Sequence, residues 1–255
     1  IGPVRSSRHY FLDYALENDA IYVHYGWSPK AESDIKAMGV NNINGLYDDA
    51  PFWRDKSIAA PHNVFTSTEK LYAYAKQKNY NTTTTNWKLL NYTTDEVNLN
   101  EPISTTTQVN TETGEKEKVP VTREGLLTAN SVVIPYSYYQ TRSYTYDAER
   151  KVYLRYMNDT PHIDKVSGQQ LYYKNVIIQQ VTNSQLDSEG RQDLDTTGSG
   201  KGYYITNGYA VPIYWTKSSR SAKTIYKYSD GSKVEINDGN TFVQVMPTSF
   251  TPTIN

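Results

Sequence analysis

Tyr10, Phe11, Tyr14 and Ala15 recur at helical spacing, which predicts a helix over residues 7–18 with Ser6 or Ser7 capping its start. The apolar run Ala20-Ile21-Tyr22-Val23-His24 then reads as a short buried strand, broken by Gly26. Ser28 caps a second helix with Pro29 at its first position, and Gly39 closes it after about Met38. Residues 41–65 are rich in turn signals, among them Asn44-Gly45, Asp48-Asp49 and Pro51. Thr66 and Glu69 stand at capping-box spacing ahead of a third helix, with Leu71, Tyr72 and Ala75 on one face. A helix–strand–helix order calls for a strand before the first helix. That strand would end near Ile1, so the sheet is expected to draw on sequence upstream. The chain starts without Met, and we read it as part of a longer protein whose targeting signal or anchor lies before Ile1.

The pattern changes at Asn81. From there to about Lys118 the chain is polar and rich in Thr, including four in a row at 82–85. Within it Trp87-Lys88-Leu89-Leu90 reads as a strand, and the remainder as a linker or an exposed hairpin. After Ser131 strand-type patterning dominates: 132–139, 143–146, 152–156, 171–181, 203–206, 210–215, 224–228, 233–236 and 241–245. Asn207-Gly208, Asp230-Gly231 and Asp238-Gly239 separate the last runs and predict three hairpins of an antiparallel meander. The fold class expected is α+β. An N-terminal α/β layered domain over 1–130, incomplete at its N-terminus, precedes a mainly antiparallel β roll or barrel-like domain over 131–255.

Composition narrows this picture. Aromatic content rests on 24 Tyr against 5 Phe and 4 Trp, which suits half-wet β faces. The net charge of −1, without a basic run, argues against a nucleic-acid partner. With no Cys there are no disulfides and no thiolate metal sites. The four His show neither His-x-x-x-His nor HExxH spacing, so no metal site is expected. Gly198-Ser199-Gly200-Lys201-Gly202 lacks the Walker A spacing and precedes a strand; it reads as a tight loop, and no cofactor is expected. No Gly-x-Ser-x-Gly elbow occurs. Asp193 and Asp195 alternate beside a turn and read as solvated loop acids.

One constellation carries chemistry. Arg5, Ser6 and Arg8 flank the start of the first helix, and His24 ends a strand. Trp53, Arg54, His62 and Asn63 lie in the loop before the third helix. In a parallel α/β layout, strand ends and the following helix starts share one edge, so these positions are expected to converge on an anion-binding crevice. Guanidinium forks and free helix N–H groups both favour carboxylate or phosphate. The plainer alternative pairs these groups with Asp13, Asp55 or loop carbonyls, where they hold long loops in place.

The same residues carry a resemblance. Gly-Pro-Val-Arg-Ser-Ser-Arg-His-Tyr-Phe at 2–11, Asp-Ala-Ile-Tyr-Val-His at 19–24, Phe-Trp-Arg-Asp at 52–55 and Ala-Pro-His-Asn at 60–63 resemble the YerB-like lipoprotein family of Gram-positive bacteria. Tyr153-Leu154-Arg155, residues 175–178, Gly198-Ser199-Gly200 and Trp215-Thr216-Lys217 match its C-terminal region in order. The resemblance implies an extracytoplasmic lipoprotein held to the cell membrane by a lipid anchor upstream of this chain. It also implies an N-terminal α/β domain and a C-terminal β domain. The family's Arg-Pro-Val-Ala type strand, its Gly-Gly-Ile-Thr-Arg type segment and its lipid-bearing Cys are absent here. The family is one of unknown function, so no catalytic residues come with it. The function expected is non-enzymatic binding or scaffolding at the cell envelope, with an envelope protein, a glycan or a small anionic ligand as partner. The alternative is an enzyme acting on an anionic envelope component. There Arg5, Arg8 and Arg54 would bind substrate, and His24 or His62 would serve as general acid and base.

Overall fold

The computed structural model describes residues 1–84 and 89–255. Residues 85–88 lie outside the described part, and the strand expected at 87–90 falls partly on them. In chain order the elements are α1 (His9–Glu17), β1 (Tyr22–His24), α2 (Pro29–Ala37), β2 (Asn42–Asn44), β3 (Phe52–Arg54), β4 (Val64–Thr66) and α3 (Thr68–Gln77). Then come β5 (Tyr92–Thr93), β6 (Ser104–Val109), β7 (Lys116–Val121), β8 (Leu127–Thr128), β9 (Ser131–Ser137), β10 (Gln140–Asp147), β11 (Val152–Met157) and β12 (Thr160–Pro161). They continue with β13 (Tyr172–Tyr173), β14 (Asn175–Val181), β15 (Asn183–Gln185), β16 (Gln192–Leu194), β17 (Gly198–Thr206) and β18 (Tyr209–Lys217). The last are β19 (Ile225–Lys227), β20 (Ile236–Asn237), β21 (Thr241–Pro247) and β22 (Thr253–Ile254). This is an α+β fold with a β-rich C-terminal part.

The chain forms two compact units. The first holds Ile1–Leu89 together with Ser184–Gly198 and Lys217–Thr224, and the second holds the rest.

In the first unit β1 and β2 pair in parallel across α2. Ser28 caps α2 as expected, its hydroxyl accepting from the Ala31 N–H at 3.3 Å, and Gly39 follows the helix at φ +62°. The cap of α1 differs from the expectation. Its N-cap is Arg8 with no side-chain cap bond, because Ser6 and Ser7 belong to the extended segment before the helix. That segment, residues 1–7, is bonded on both sides. Val4 N–H donates to Val64 O at 2.8 Å, and Tyr25 N–H donates to Arg5 O at 2.9 Å. The α3 cap moves by one residue: Ser67 accepts from the Lys70 N–H, while the Thr66 hydroxyl turns to Pro51 O at 2.8 Å. Leu12, Ile35 and Val40 form the core of α1 and α2, with Leu16, Tyr22, Trp27 and Met38 packed around them.

In the second unit two six-stranded sheets share one core. One runs β12-β11-β10-β9-β22 with β13 beside β11; the other runs β19-β18-β17-β14-β21 with β8 beside β18. Val132, Ile134, Tyr144 and Tyr153 meet Val176, Ile178, Ile205 and Met246 in that core. Burying each such side chain stabilises the fold by roughly 1.5–3 kcal/mol. Asn207-Gly208 makes the expected tight hairpin, both residues at positive φ (48° and 80°). The third predicted hairpin does not form. β21 lies parallel to β14, pairing Asn175 with Thr241 through Val181 with Pro247, and β20 pairs with β5 instead. In this parallel position Gln244 and Met246 are buried. The Gly198–Gly202 run is strand rather than tight loop. A side chain at Gly200 would collide with the Trp215 ring (2.5 Å), and one at Gly202 with Ile178 O (2.0 Å). These glycines serve close strand packing. Within the segment 104–121, β6 and β7 form a two-stranded ribbon, and every residue of β6 is exposed.

Candidate functional site

The extended segment 1–7 positions the N-terminal candidates. Its bonds to β4 on one side and to residues 25–28 on the other place Arg5 between Val64 and Tyr25. Arg5 Nη1 lies 2.7 Å from His62 Nδ1 and 3.2 Å from Nε2. A guanidinium offers only donors, so the imidazole is the acceptor. Next to them Arg54 Nη1 donates to Asn63 Oδ1 at 2.8 Å, and its guanidinium lies 5.0 Å above the Tyr25 ring. Gly45 makes room for that ring, since a Cβ there would sit 2.2 Å from it. Arg54 and Asn63 face each other because β3 and β4 form an antiparallel hairpin, Arg54 opposite Val64. Trp53 is exposed and stacks on Phe65 with centroids 6.3 Å apart.

The other candidates make different contacts. Arg8 Nη1 donates to Ser6 Oγ at 2.9 Å and to Ser7 O at 3.0 Å. His24 is buried, with Nδ1 2.8 Å from Gly26 O and Nε2 3.0 Å from Asn42 Oδ1. The structure thus joins Arg5 to His62 and Arg54 to Asn63, while the bonds of Arg8 and His24 run to their own neighbourhoods. Neither Arg5, Arg8 nor Arg54 forms an ion pair among the described residues. A cavity of about 260 Å³ opens elsewhere in this unit, lined by Ile21, Val23, Ile43, Leu71 and Ala75 among others. None of the eight candidates lines it.

Asp13, one partner proposed for these arginines, is taken by another group. Arg220 Nε donates to Asp13 Oδ1 at 2.5 Å and Arg220 Nη1 to Asp34 Oδ2 at 2.7 Å. Thr196 Oγ1 donates to the second Asp13 oxygen. One turn on, Glu17 receives Lys217 Nζ at 2.5 Å and the Thr224 N–H at 3.0 Å. Asp193 is partly exposed but also paired: Oδ1 lies 2.6 Å from His9 Nε2 and Oδ2 3.3 Å from Lys30 Nζ, whereas Asp195 is exposed. Sequence reasoning missed this network. Asp13 and Glu17 are spaced i, i+4 on α1, but their partners lie about 200 residues away in sequence and leave no local signal.

Fold and site together define an α+β protein of two units whose first unit carries a surface arginine–histidine cluster. The N-terminal domain of the family described as "Protein of unknown function (DUF3048)" matches residues 1–81, and its C-terminal domain matches residues 132–243. The chain belongs to this family. It is 27% identical over 248 residues to the Bacillus subtilis (strain 168) protein named "Putative lipoprotein YerB", covering 97% of this chain and 67% of that one. The crystal structure of YerB protein from Bacillus subtilis has the same fold, with a TM-score of 0.75 at 24% identity over all of this chain and 77% of that one.

Proposed function

We propose that this chain is the extracytoplasmic part of a membrane-anchored lipoprotein that works by binding. In this reading its first unit holds an anionic envelope component at the Arg5–Arg54–His62 edge. The name of the Bacillus relative supports the location. One observation carries the binding reading: among the described residues, Arg5 and Arg54 sit at the surface with neutral hydrogen-bond partners, His62 and Asn63. Two such forks, one on β3 and one on the extended segment that flanks β4 from its other side, suit an oxyanion, which accepts from guanidinium donors and supplies the missing charge. His24 adds nothing to catalysis in this arrangement, since both its ring nitrogens are engaged inside the unit.

The test is a thermal-shift series on the full chain with inorganic phosphate, poly(glycerol phosphate) and carboxylate-bearing glycan fragments. The expected result is a stabilising shift with at least one of them that is reduced in Arg5→Ala and in Arg54→Ala. A shift undiminished by both substitutions, or no shift with any probe, overturns the assignment.

A further inference from the structure

Arg155 is the anomaly of the second unit. It sits on β11 at an inward-facing position beside Tyr153, and is only 7% exposed. Buried guanidinium groups normally meet a carboxylate, because desolvating an unpaired charge is costly. Arg155 meets none among the described residues. Its Nε donates to Tyr144 Oη at 3.3 Å, its Nη1 to His162 Nδ1, and its guanidinium lies 4.8 Å from the Phe242 ring centre. The half-buried Arg142 on β10 likewise ends on neutral groups: Gln140 Oε1, Thr141 O and Asn158 Oδ1.

The surrounding groups are arranged as donors. His162 accepts from Arg155 through Nδ1, which leaves Nε2 to carry the ring proton. Tyr144 donates to Gln244 Oε1 at 2.7 Å, and the Gln244 amide in turn donates to Tyr136 Oη. The Tyr136 hydroxyl accepts that bond, and its own proton is left to offer. We propose that Arg155, Arg142, His162 and Tyr136 form a second anion site, in the β-rich unit, which takes a small ligand presenting a carboxylate or phosphate. A cluster with two permanent cations and only donors to offer is complementary to a ligand that only accepts.

The electrostatics agree. Burial first, then Arg155 and Arg142, hold the His162 imidazole below its ordinary pKa. The same two arginines oppose the upward push of burial on the Tyr136 phenol. Positive potential therefore reaches both groups, and no carboxylate is among the causes at either.

The test follows the His162 ring by ¹⁵N NMR in the full chain while inorganic phosphate or acetate is added. Either anion is expected to shift the His162 ring signals and to raise the pH at which they titrate. A response to phosphate alone assigns a phosphoryl ligand; a response to acetate as well assigns a carboxylate or general oxyanion. Arg142→Gln, which touches a half-exposed residue and spares the core, is expected to weaken the response about tenfold. Arg5→Ala is expected to leave it unchanged, which separates this site from the one in the first unit. Signals that ignore both anions, or an affinity unchanged by Arg142→Gln, overturn the proposal.

Discussion

Helix α1 and the extended segment that leads into it treat charge in opposite ways. Along α1, Asp13 and Glu17 are buried to 4% and 8% exposure, and each receives a base, Arg220 and Lys217 respectively. In the segment before it, Arg5 and Arg8 end on a ring nitrogen, a hydroxyl and a carbonyl. Burial makes the difference. A buried charge without its counterion costs several kcal/mol, so the helix is held to strict pairing. A solvated cation carries no such penalty, so Arg5 can stay unpaired and remain open to an external anion. An unpaired charge is thus informative in proportion to what leaving it unpaired costs, little at a solvated group and much at a buried one.

The sharpest way to break this comparison is Lys217→Met. It leaves Glu17 buried without its Lys217 ammonium, and the expected loss is about 3–5 kcal/mol in urea denaturation. Adding Glu17→Leu removes the carboxylate as well and is expected to recover much of that loss, since apolar replacements of buried pairs are often neutral. A single variant within about 1 kcal/mol of the parent would show that the helix is not held to pairing after all.

A smaller effect comes from Asp193, at the margin between the two regimes. Burial alone would raise its carboxyl, but hydrogen bonds from His9 and Lys30 outweigh it and hold the group below its ordinary 3.8. A carboxyl with a lower pKa in the folded state stabilises the fold when ionised. That contribution is complete above about pH 5 and is lost as pH falls through the folded pKa. The side chain is 38% exposed, so solvent screening keeps the effect under about 1 kcal/mol. Stability measured against pH should show the parent above Asp193→Asn near neutrality, with the two curves converging in acid. Parallel curves throughout would remove the ion pair from the account.

What was legible in the sequence follows the range of the interaction. Ser28-Pro29 announced α2 and Asn207-Gly208 announced its hairpin, because cap and turn act over three or four residues. The cap of α1 was misplaced because Ser6 and Ser7 have the right chemistry but serve the extended segment, a choice made by Val64 and Tyr25 far along the chain. β21 departs from the expected hairpin for the same reason: it lies parallel to β14, a pairing with residues far earlier in the chain that no local signal encodes. Of the candidate site, the Arg5–His62 and Arg54–Asn63 contacts lay within the set chosen from the sequence. Arg155 did not, although a signal existed. It stands two residues after Tyr153 in an alternating strand, at a register that otherwise points inward. A charge at a core position of a strand deserves to be read as a site.

The smallest expected effect is on stability at Arg5, and set against Arg54 it discriminates most finely. Arg5 is exposed and, among the described residues, its side chain bonds an exposed imidazole, so Arg5→Ala removes no buried partner. Surface substitutions of this kind stay within about 0.5 kcal/mol of the parent. Arg54 is exposed too, but it donates to Asn63, which is only 9% exposed. Arg54→Ala withdraws a donor from a buried amide oxygen, and the expected loss is about 1 kcal/mol. The two variants therefore separate a guanidinium that holds the hairpin from one that does not, measured by urea denaturation without added anion. If Arg5→Ala instead costs more than Arg54→Ala, Arg5 is a structural brace between β4 and the segment at Tyr25, and the contrast with α1 reduces to a difference in exposure.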